Sequence, residues 1–268
     1  MRTFDYHRPP STADAVTLLA SIGESRPLSG GMTLLPAMKM RLAAPAALVD
    51  LGAIPGLASI VVDGGAVTIG AMTRHVDVAV SAEVAAAIPA LTVLAGGIGD
   101  PQVRHRGTIG GSVANADPGA DYPAAVVGLG ATILTDRREI PGDGFFTGLF
   151  ETALAPDEII TAVRFPVPDM AGYAKFKSQA SRFAIVGVFV SKTGDSVRVA
   201  VTGAGPRVFR SGEIEEALSA RFSPEVLASV SVDPAGLNSD MHADGEYRAH
   251  LVVAMARRAV AAALAGAA

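Results

Sequence analysis

The sequence contains no cysteine and no tryptophan, and aromatic residues make up only 5% of its 268 residues. Without cysteine the chain can form neither a disulfide nor a thiolate zinc site, and it can neither ligate an iron–sulfur cluster nor attach a cofactor through sulfur. Since no side chain supplies a redox couple, any redox chemistry must come from a bound organic cofactor.

Charge of one sign and long apolar runs are also scarce. The net charge is only −4, with both signs mixed along the chain, which disfavours a nucleic-acid-binding role. The N-terminus lacks the apolar core of a signal peptide, and Arg257 and Arg258 interrupt the nearest approach to a membrane span, residues 251–268. We therefore expect a cytoplasmic protein with no membrane span.

Hydrophobic periodicity predicts alternating helices and strands, followed by an antiparallel set. The proline pair Pro166 and Pro168 is the best boundary, which predicts a domain at 1–168 (subdomains about 1–57 and 58–168) and another at 169–268. The expected helices are residues 11–21, 34–41, two within 76–94, 211–221, 223–230 and 245–264. The expected strands are residues 48–51, 57–62, 66–69, 131–135, 159–165, 173–177, 184–191 and 197–202, with 145–150 a loop or short helix. The opening part of the chain is expected to form a small β–α–β–β unit.

Two glycine-rich segments stand out. The first glycine segment, residues 28–33, reads Leu-Ser-Gly-Gly-Met-Thr, and the second glycine segment, residues 96–115, holds six glycines and the run Thr-Ile-Gly-Gly-Ser. Neither matches the dinucleotide fingerprint G-x-G-x-x-G or a P-loop, which argues against a Rossmann dehydrogenase or an ATPase. Either segment could be only a turn. Together, their N–H groups and hydroxyls could hold a diphosphate-containing cofactor from two sides.

Other chemistry finds little support in the sequence. His75 and His105 lack partners at ligand spacing, which disfavours a metal site, and Ser112 and Ser181 lack the histidine and acid of a hydrolase triad. The basic side chains of residues 104–106 could counter phosphate charge, but a solvated loop is the favoured interpretation. No catalytic side chain is predicted.

Four stretches carry a resemblance to a known family: residues 4–9, residues 29–39, residues 100–112 with their continuation at 117–123, and residues 173–177 with the apolar run after them. The chain resembles the FAD-binding medium subunit of molybdenum hydroxylases of the carbon monoxide, xanthine and nicotine dehydrogenase types. The resemblance implies an α+β fold, in which a two-part FAD-binding domain of the vanillyl-alcohol-oxidase/PCMH type precedes a small α+β C-terminal domain of antiparallel sheet plus helices.

The resemblance also implies a set of cofactor-binding residues. Those expected to bind the FAD diphosphate and ribityl chain are Leu28, Ser29, Gly30, Gly31, Met32, Thr33, Thr108, Ile109, Gly110, Gly111 and Ser112. Those expected around the rest of the cofactor are Ile98, Gly99, Asn115, Asp121, Ile160, Lys175 and Lys177. Asp121 could instead cap a turn, Ile160 could be plain core, and either lysine could be the one near the flavin or a solvated side chain.

Two positions depart from the family pattern. The first glycine segment has Met32 and Thr33 where a histidine or glutamine and a serine are common, and the second has Ser112 where asparagine is usual. Met32 can offer its backbone N–H and Ser112 is still a donor, so we expect FAD binding to survive. Replacing Gly110 or Gly111 by valine is expected to abolish flavin retention in a chain that still folds.

The implied function is electron transfer through non-covalent FAD, from the iron–sulfur clusters of a partner to an external acceptor. By resemblance, the partners are a [2Fe-2S] small subunit and a molybdopterin-binding large subunit, arranged as a dimer of heterotrimers. A stand-alone FAD-dependent oxidoreductase of the same superfamily, or a nucleotide-binding scaffold without redox chemistry, are the alternatives. The sequence leaves the substrate and the acceptor open.

Overall fold

The computed structural model describes residues 1–266, which form three main sheets and a small hairpin with helices packed on them. The strands are β1 Asp5–His7, β2 Ser25–Leu28, β3 Ala47–Asp50, β4 Ile60–Asp63, β5 Ala66–Gly70, β6 Thr132–Thr135, β7 Glu139–Pro141, β8 Phe146–Gly148, β9 Glu151–Thr152, β10 Ile160–Pro166, β11 Met170–Lys177, β12 Ala184–Thr193, β13 Ser196–Thr202 and β14 Phe209–Arg210. The α-helices are α1 Thr12–Ser21, α2 Leu34–Lys39, α3 His75–Ala79, α4 Ala82–Ala87, α5 Pro89–Gly96, α6 Pro101–Arg104, α7 Ile109–Asn115, α8 Tyr122–Gly128, α9 Gly212–Ala220 and α10 Gly245–Gly266.

The first sheet is parallel, with strand order β1-β3-β2. Ser11 caps α1 by accepting from the Asp14 N–H, and the helix packs Ala15 and Leu19 against the core around Val49. The expected β–α–β–β unit was therefore wrong. Strands β1 and β2 complete a separate sheet with β3, while β4 and β5 belong to the next one.

The second sheet is antiparallel, with strand order β4-β5-β10-β6-β7. The predicted hairpin β4–β5 is confirmed, with Asp63 paired to Ala66 across the turn. Its neighbour β10 confirms the strand expected at 159–165. Helices α5, α7 and α8 contribute buried aliphatic side chains to the core over this sheet.

The chain between β5 and β6 is more helical than the sequence indicated. Residues 76–94 hold three short helices, not two, and the second glycine segment contains α6 and α7. Residues 145–150, expected as a loop or short helix, include strand β8. Tertiary packing overrides the low helix propensity of glycine here, since α7 buries Ile109, Gly110 and Val113.

The third sheet is antiparallel, with strand order β11-β12-β13-β14 and the predicted turn between Thr193 and Ser196. The helix expected at 223–230 is a 3₁₀ helix, Pro224–Ser229. By length and composition α10 could cross a membrane. Its apolar face instead packs on this sheet so closely that a Cβ on Gly172 would lie 2.0 Å from the Ala259 carbonyl oxygen. In this fold α10 serves as a core helix.

A short docking segment, residues 117–121, joins the third sheet to the helices before it. Gly203 donates its N–H to the Pro118 carbonyl at 2.7 Å, and Ala184 donates to Gly119 at 3.1 Å. The Thr202 hydroxyl lies 2.8 Å from the Pro118 oxygen and 2.7 Å from the Ala120 oxygen. The third sheet therefore holds the backbone that immediately follows the second glycine segment.

Candidate functional site

The two glycine segments touch each other. A Cβ on Gly30 would lie 2.1 Å from the Arg106 carbonyl oxygen, and one on Gly111 would lie 2.6 Å from the Ser29 hydroxyl. The Thr108 hydroxyl donates to the Ser29 hydroxyl at 3.1 Å. Glycine is required at both positions because a side chain would push the segments apart. The expected grouping of the two segments at one place is found in the structure.

The first glycine segment presents a row of free donors. Within residues 1–266, the backbone N–H groups of residues 29–33 have no hydrogen-bond acceptor. Gly31 has φ +74°, a conformation that side chains rarely adopt. Met32 and Thr33 are exposed, whereas Leu28, Ser29 and Gly30 are half-buried. Such a concave run of N–H groups suits an anion. Residues 29–33 are called the cradle below.

Residues 109–112 of the second glycine segment use their backbone donors within the chain. Ile109 donates its N–H to Thr73, Gly110 to Ala71, and Ser112 to Thr108. The Gly111 N–H goes to the Thr108 hydroxyl at 3.1 Å, and Thr108, Ile109 and Gly110 are buried. These N–H groups are therefore engaged within the chain, and the expected binding of FAD by residues 108–112 stays a prediction. This part of the segment supports the first one from beneath.

Two polar side chains of α7 remain available beside the cradle. Ser112 and Asn115 are half-buried, and neither side chain forms a hydrogen bond within the described chain. Each can donate or accept. They are the side chains through which the second glycine segment can contact a ligand.

His75 lies behind the second glycine segment. The backbone N–H of His75 donates to the Gly107 carbonyl at 2.9 Å. The imidazole Nε2 lies so near Gly107 that a Cβ on this glycine would be 2.6 Å from it. Burial, with a smaller contribution from the Arg104 charge, lowers the pKa of His75 to about 4. Within the described residues, the buried His75 Nδ1 and the hydroxyl of its ring neighbour Tyr122 have no partner. The imidazole is therefore neutral at pH 7.

Asp121 is buried in a cluster that sequence reasoning did not foresee. Its Oδ1 accepts from the Tyr173 hydroxyl at 2.6 Å and pairs with the Lys175 ammonium at 2.7 Å. Although it precedes α8, it makes no capping bond. Burial raises the pKa of Asp121, opposed chiefly by the Lys175 charge. The expected cap is not found, since the Asp121 carboxylate joins the third sheet to the site. The expected ligand contact of Asp121 stays a prediction.

The two candidate lysines have different surroundings. Lys175 Nζ also contacts the carbonyls of Gly97 at 2.8 Å and Arg182 at 3.1 Å, so its three donors are occupied. Lys177 is exposed. A bulge between Phe176 and Lys177 breaks the alternation that would have placed both lysines on one face. Lys177 is therefore the lysine with donors to spare.

Arg104 was expected to be solvated, yet it has a structural role. One guanidinium nitrogen, Nη1, donates to the carbonyls of Ile98 at 2.9 Å and Gly99 at 3.1 Å. Arg104 itself is half-buried. No sequence signal marks this contact, because it depends on the turn that α6 makes.

Ile160 lies in the main core, 5% exposed. It is linked to the glycine segments by a short relay of backbone bonds: Ala71 donates to Thr161, and Gly110 donates to Ala71. The backbone beside Ile160 is thus linked to the floor of the site, while the Ile160 side chain is part of the core.

Two shallow clefts of about 300 Å³ and 330 Å³ lie elsewhere, beside Arg207 and Arg210. Arg210 is paired with Glu215, and Arg207 donates to the carbonyls of Phe146 and Thr147. These clefts offer less free donor capacity than the first glycine segment.

Comparison with known families identifies the family to which the chain belongs. Residues 2–168 match the family model described as the FAD binding domain in molybdopterin dehydrogenase. Residues 171–263 match the CO dehydrogenase flavoprotein C-terminal domain. The chain belongs to this family. It is a FAD-binding medium subunit of the molybdenum hydroxylase type and a component of an oxidoreductase.

Individual relatives are similar over nearly their whole length. The chain is 36% identical to the carbon monoxide dehydrogenase medium chain of Hydrogenophaga pseudoflava, covering 97% of this chain and 96% of the relative. It is 36% identical to the nicotine 6-hydroxylase medium subunit of Paenarthrobacter nicotinovorans, covering 95% of each. The solved carbon monoxide dehydrogenase of H. pseudoflava superposes with a TM-score of 0.87 at 34% identity, covering 100% of this chain and 99% of that one.

The residues present fit FAD. The N–H groups of residues 29–33, which have no acceptor within residues 1–266, match the need of a diphosphate, and the absence of a side chain at Gly30 lets this run of backbone lie against Arg106. Ser112 and Asn115 add neutral donors. The α+β fold expected from the sequence, a two-part FAD-binding domain followed by a small domain of antiparallel sheet plus helices, is confirmed.

Proposed function

We propose that this chain carries non-covalent FAD as the electron-transfer subunit of a molybdenum-containing hydroxylase or dehydrogenase. The observation that carries the proposal is the first glycine segment, whose consecutive N–H groups lack acceptors within residues 1–266. Bound FAD supplies a redox couple that receives electrons from a partner's iron–sulfur clusters and delivers them to an external acceptor. The protein holds and tunes this group.

The site residues divide into three roles in this proposal. Residues 29–33 donate N–H groups to the diphosphate, with Leu28 packed beside them. Ser112 and Asn115 donate from α7, while Thr108, Ile109, Gly110 and Gly111 form the floor. Ile98, Gly99 and Ile160 line the cleft, and Lys177 supplies a positive charge that stabilises added negative charge on the cofactor.

The partners follow from the chemistry that this chain lacks. Its sequence has no cysteine to hold a cluster. Relatives are named medium chains and medium subunits. We infer that a [2Fe-2S] small subunit and a molybdopterin-binding large subunit complete the enzyme, as a dimer of heterotrimers in the cytoplasm. Native mass spectrometry of the complex, purified through a tag on this chain from the soluble cell fraction, tests the subunits and their ratio.

The domain division is part of the same proposal. Residues 1–168, with subdomains about 1–57 and 58–168, would bind FAD, and residues 169–268 would form the C-terminal domain. The proline pair Pro166 and Pro168 and the change of sheet after β10 support this boundary. Limited proteolysis should cut near residues 166–169 before it cuts within β10 or β11.

The absorbance spectrum of the purified chain tests the cofactor. We expect flavin bands, and we expect the flavin to be released into the supernatant when the protein is denatured. A protein without flavin bands that also fails to bind added FAD would contradict the proposal. Flavin that stays with the denatured chain would contradict non-covalent binding.

A stand-alone FAD-dependent oxidoreductase remains the alternative from the sequence. It would need an acid or base beside the flavin, and the titratable groups near the site are engaged elsewhere: Asp121 with Lys175 and Tyr173, and His75 behind Gly107. Turnover of a substrate by the isolated flavoprotein, without partner subunits, would favour the alternative.

A further inference from the structure

Three consecutive carbonyls at the start of the second glycine segment are bound by cationic side chains. Lys175 donates to the Gly97 carbonyl at 2.8 Å. Arg104 donates to the Ile98 carbonyl at 2.9 Å and to the Gly99 carbonyl at 3.1 Å. One cation comes from α6 and the other from the third sheet, so this stretch of backbone is anchored from two sides.

The anchoring fixes the direction of the N–H groups. In a trans peptide the C=O of one residue and the N–H of the next point in opposite directions. When the carbonyls of Ile98 and Gly99 face Arg104, the N–H groups of Gly99 and Asp100 must face away from it. In the part of the chain that the structure describes, neither N–H has an acceptor. The Ile98 N–H differs, since it donates to Ala95 at 3.2 Å.

We propose that Arg104 is a positioning residue, which turns the N–H groups of Gly99 and Asp100 toward an oxygen atom of the cofactor. The inference rests on the proposed FAD function and goes beyond it by assigning a basic residue that acts through the backbone. The oxygen could belong to the diphosphate or to the flavin ring, and the two share the ability to accept N–H bonds.

The main test replaces Arg104 by methionine (R104M), which keeps the length of the side chain but removes the donor. Arg106→Met is the matched control, because Arg106 is exposed and its side chain makes no hydrogen bond within residues 1–266. Arg104→Lys should rescue binding, because a single nitrogen, Nη1, makes both contacts. Apoprotein prepared with chaotropic salt is titrated with FAD, ADP and FMN, and the spectrum of the bound flavin is recorded.

We expect R104M to weaken FAD binding by about 10-fold or more, the loss of two oriented donors, while R106M stays near wild type and R104K recovers most of the affinity. Weaker ADP binding would assign the oxygen to the diphosphate. Weaker FMN binding with a shifted flavin spectrum and unchanged ADP binding would assign it to the ring. If R104M binds FAD as R106M does, with an unshifted spectrum, the proposal is overturned.

Hydrogen exchange of the wild-type protein provides a second measurement that needs no variant. The Gly99 and Asp100 amides should exchange rapidly in apoprotein and slowly after FAD is added, whereas the Ile98 amide should be protected in both. If FAD binds without slowing the two amides, the proposal fails while the FAD function stands. If wild-type apoprotein binds no FAD, the proposed function itself fails.

Discussion

Residues 29–33 and residues 109–112 are both rich in glycine but differ in their hydrogen bonds. Residues 29–33 leave their backbone donors without acceptors in the described chain, whereas residues 109–112 donate theirs to Thr73, Ala71 and Thr108. In the first segment, Gly30 lets the backbone approach Arg106, and Gly31 takes a left-handed turn. In the second, Gly110 fits beneath Ala71. Glycine content alone therefore does not identify a ligand-binding backbone, and the partners of the N–H groups do.

The largest effect should come from Gly110→Val, because a Cβ there would lie 2.5 Å from the Ala71 Cβ and 2.7 Å from its carbonyl oxygen. Backbone must move to admit it, so we expect the free energy of unfolding to fall by more than about 3 kcal/mol. Urea denaturation of the apoprotein measures this.

Gly23→Val is the matched control, since a Cβ on Gly23 meets nothing within 4 Å. The structure thereby changes the expectation that a valine at Gly110 would leave folding intact. A Gly110→Val protein with wild-type stability would show that the second segment is not a packed support.

Gly30→Ala should act on the cofactor more than on the fold. The new methyl group would clash with the Arg106 carbonyl at 2.1 Å, and the first glycine segment, which is only half-buried at Gly30, can yield by moving away. We expect FAD affinity to fall about 100-fold, equivalent to about 2.7 kcal/mol, because the row of N–H groups is displaced. FAD titration of apoprotein measures it, with Gly23→Ala as control; unchanged affinity would remove the cradle assignment.

The pH dependence of folding stability tests the packing of His75 behind the second glycine segment. Burial lowers the pKa of His75 to about 4, below its ordinary value of 6.5. Between these two pH values His75 is therefore protonated in the unfolded chain and neutral in the folded chain. Stability should therefore be lost as pH falls from about 6.5 to about 4, by about 2 kcal/mol between pH 7 and pH 5.

His75→Gln tests this assignment. The variant should show a flatter pH dependence, measured by thermal melting of apoprotein, and the comparison cancels the contributions of other titrating groups such as Asp117 and Asp121. An identical slope in both proteins would mean that His75 does not titrate against the fold.

Ser112→Ala should have the smallest effect. The half-buried hydroxyl has no bond to the described residues, so its loss leaves the fold unchanged. We expect FAD to bind about 5-fold more weakly, near 1 kcal/mol, the value of one neutral hydrogen bond. Ser229→Ala, at an exposed serine in the 3₁₀ helix Pro224–Ser229, serves as control. Equal affinities would show that the Ser112 hydroxyl does not contact the cofactor.

Sequence reasoning was most successful where patterns are long and local. The hairpin β4–β5, strands β11 to β13 and helix α10 follow alternation or helical periodicity and were predicted. Strands β1 and β2, with three and four residues, were not predicted, because such short parallel pairs leave no periodic signal. Helix α7 was hidden by Gly110 and Gly111, whose low propensity is offset by packing.

Within the site, the sequence indicated which residues gather but not what they bond to. The contact between Ser29 and Thr108 spans 79 positions, and that between Lys175 and Gly97 spans 78. Tyr173 and Lys175 both contact Asp121 because residues two apart on a strand lie on the same face. That spacing is visible in the sequence, but the sequence does not indicate which buried carboxylate the two side chains contact. The bulge beyond Phe176 gives no sequence signal either.

The docking segment has a consequence for how such subunits can be recombined. Thr202 and Gly203 bind the carbonyls of Pro118 and Ala120, so strands of the third sheet finish a loop that belongs to the earlier part of the chain. A chimaera that joins residues 1–168 to the corresponding C-terminal part of a relative must therefore preserve these hydrogen bonds to the docking segment as well as both cores. Modular exchange between such enzymes is therefore constrained at the docking segment and at the end of β13, where the two parts of the chain share backbone hydrogen bonds.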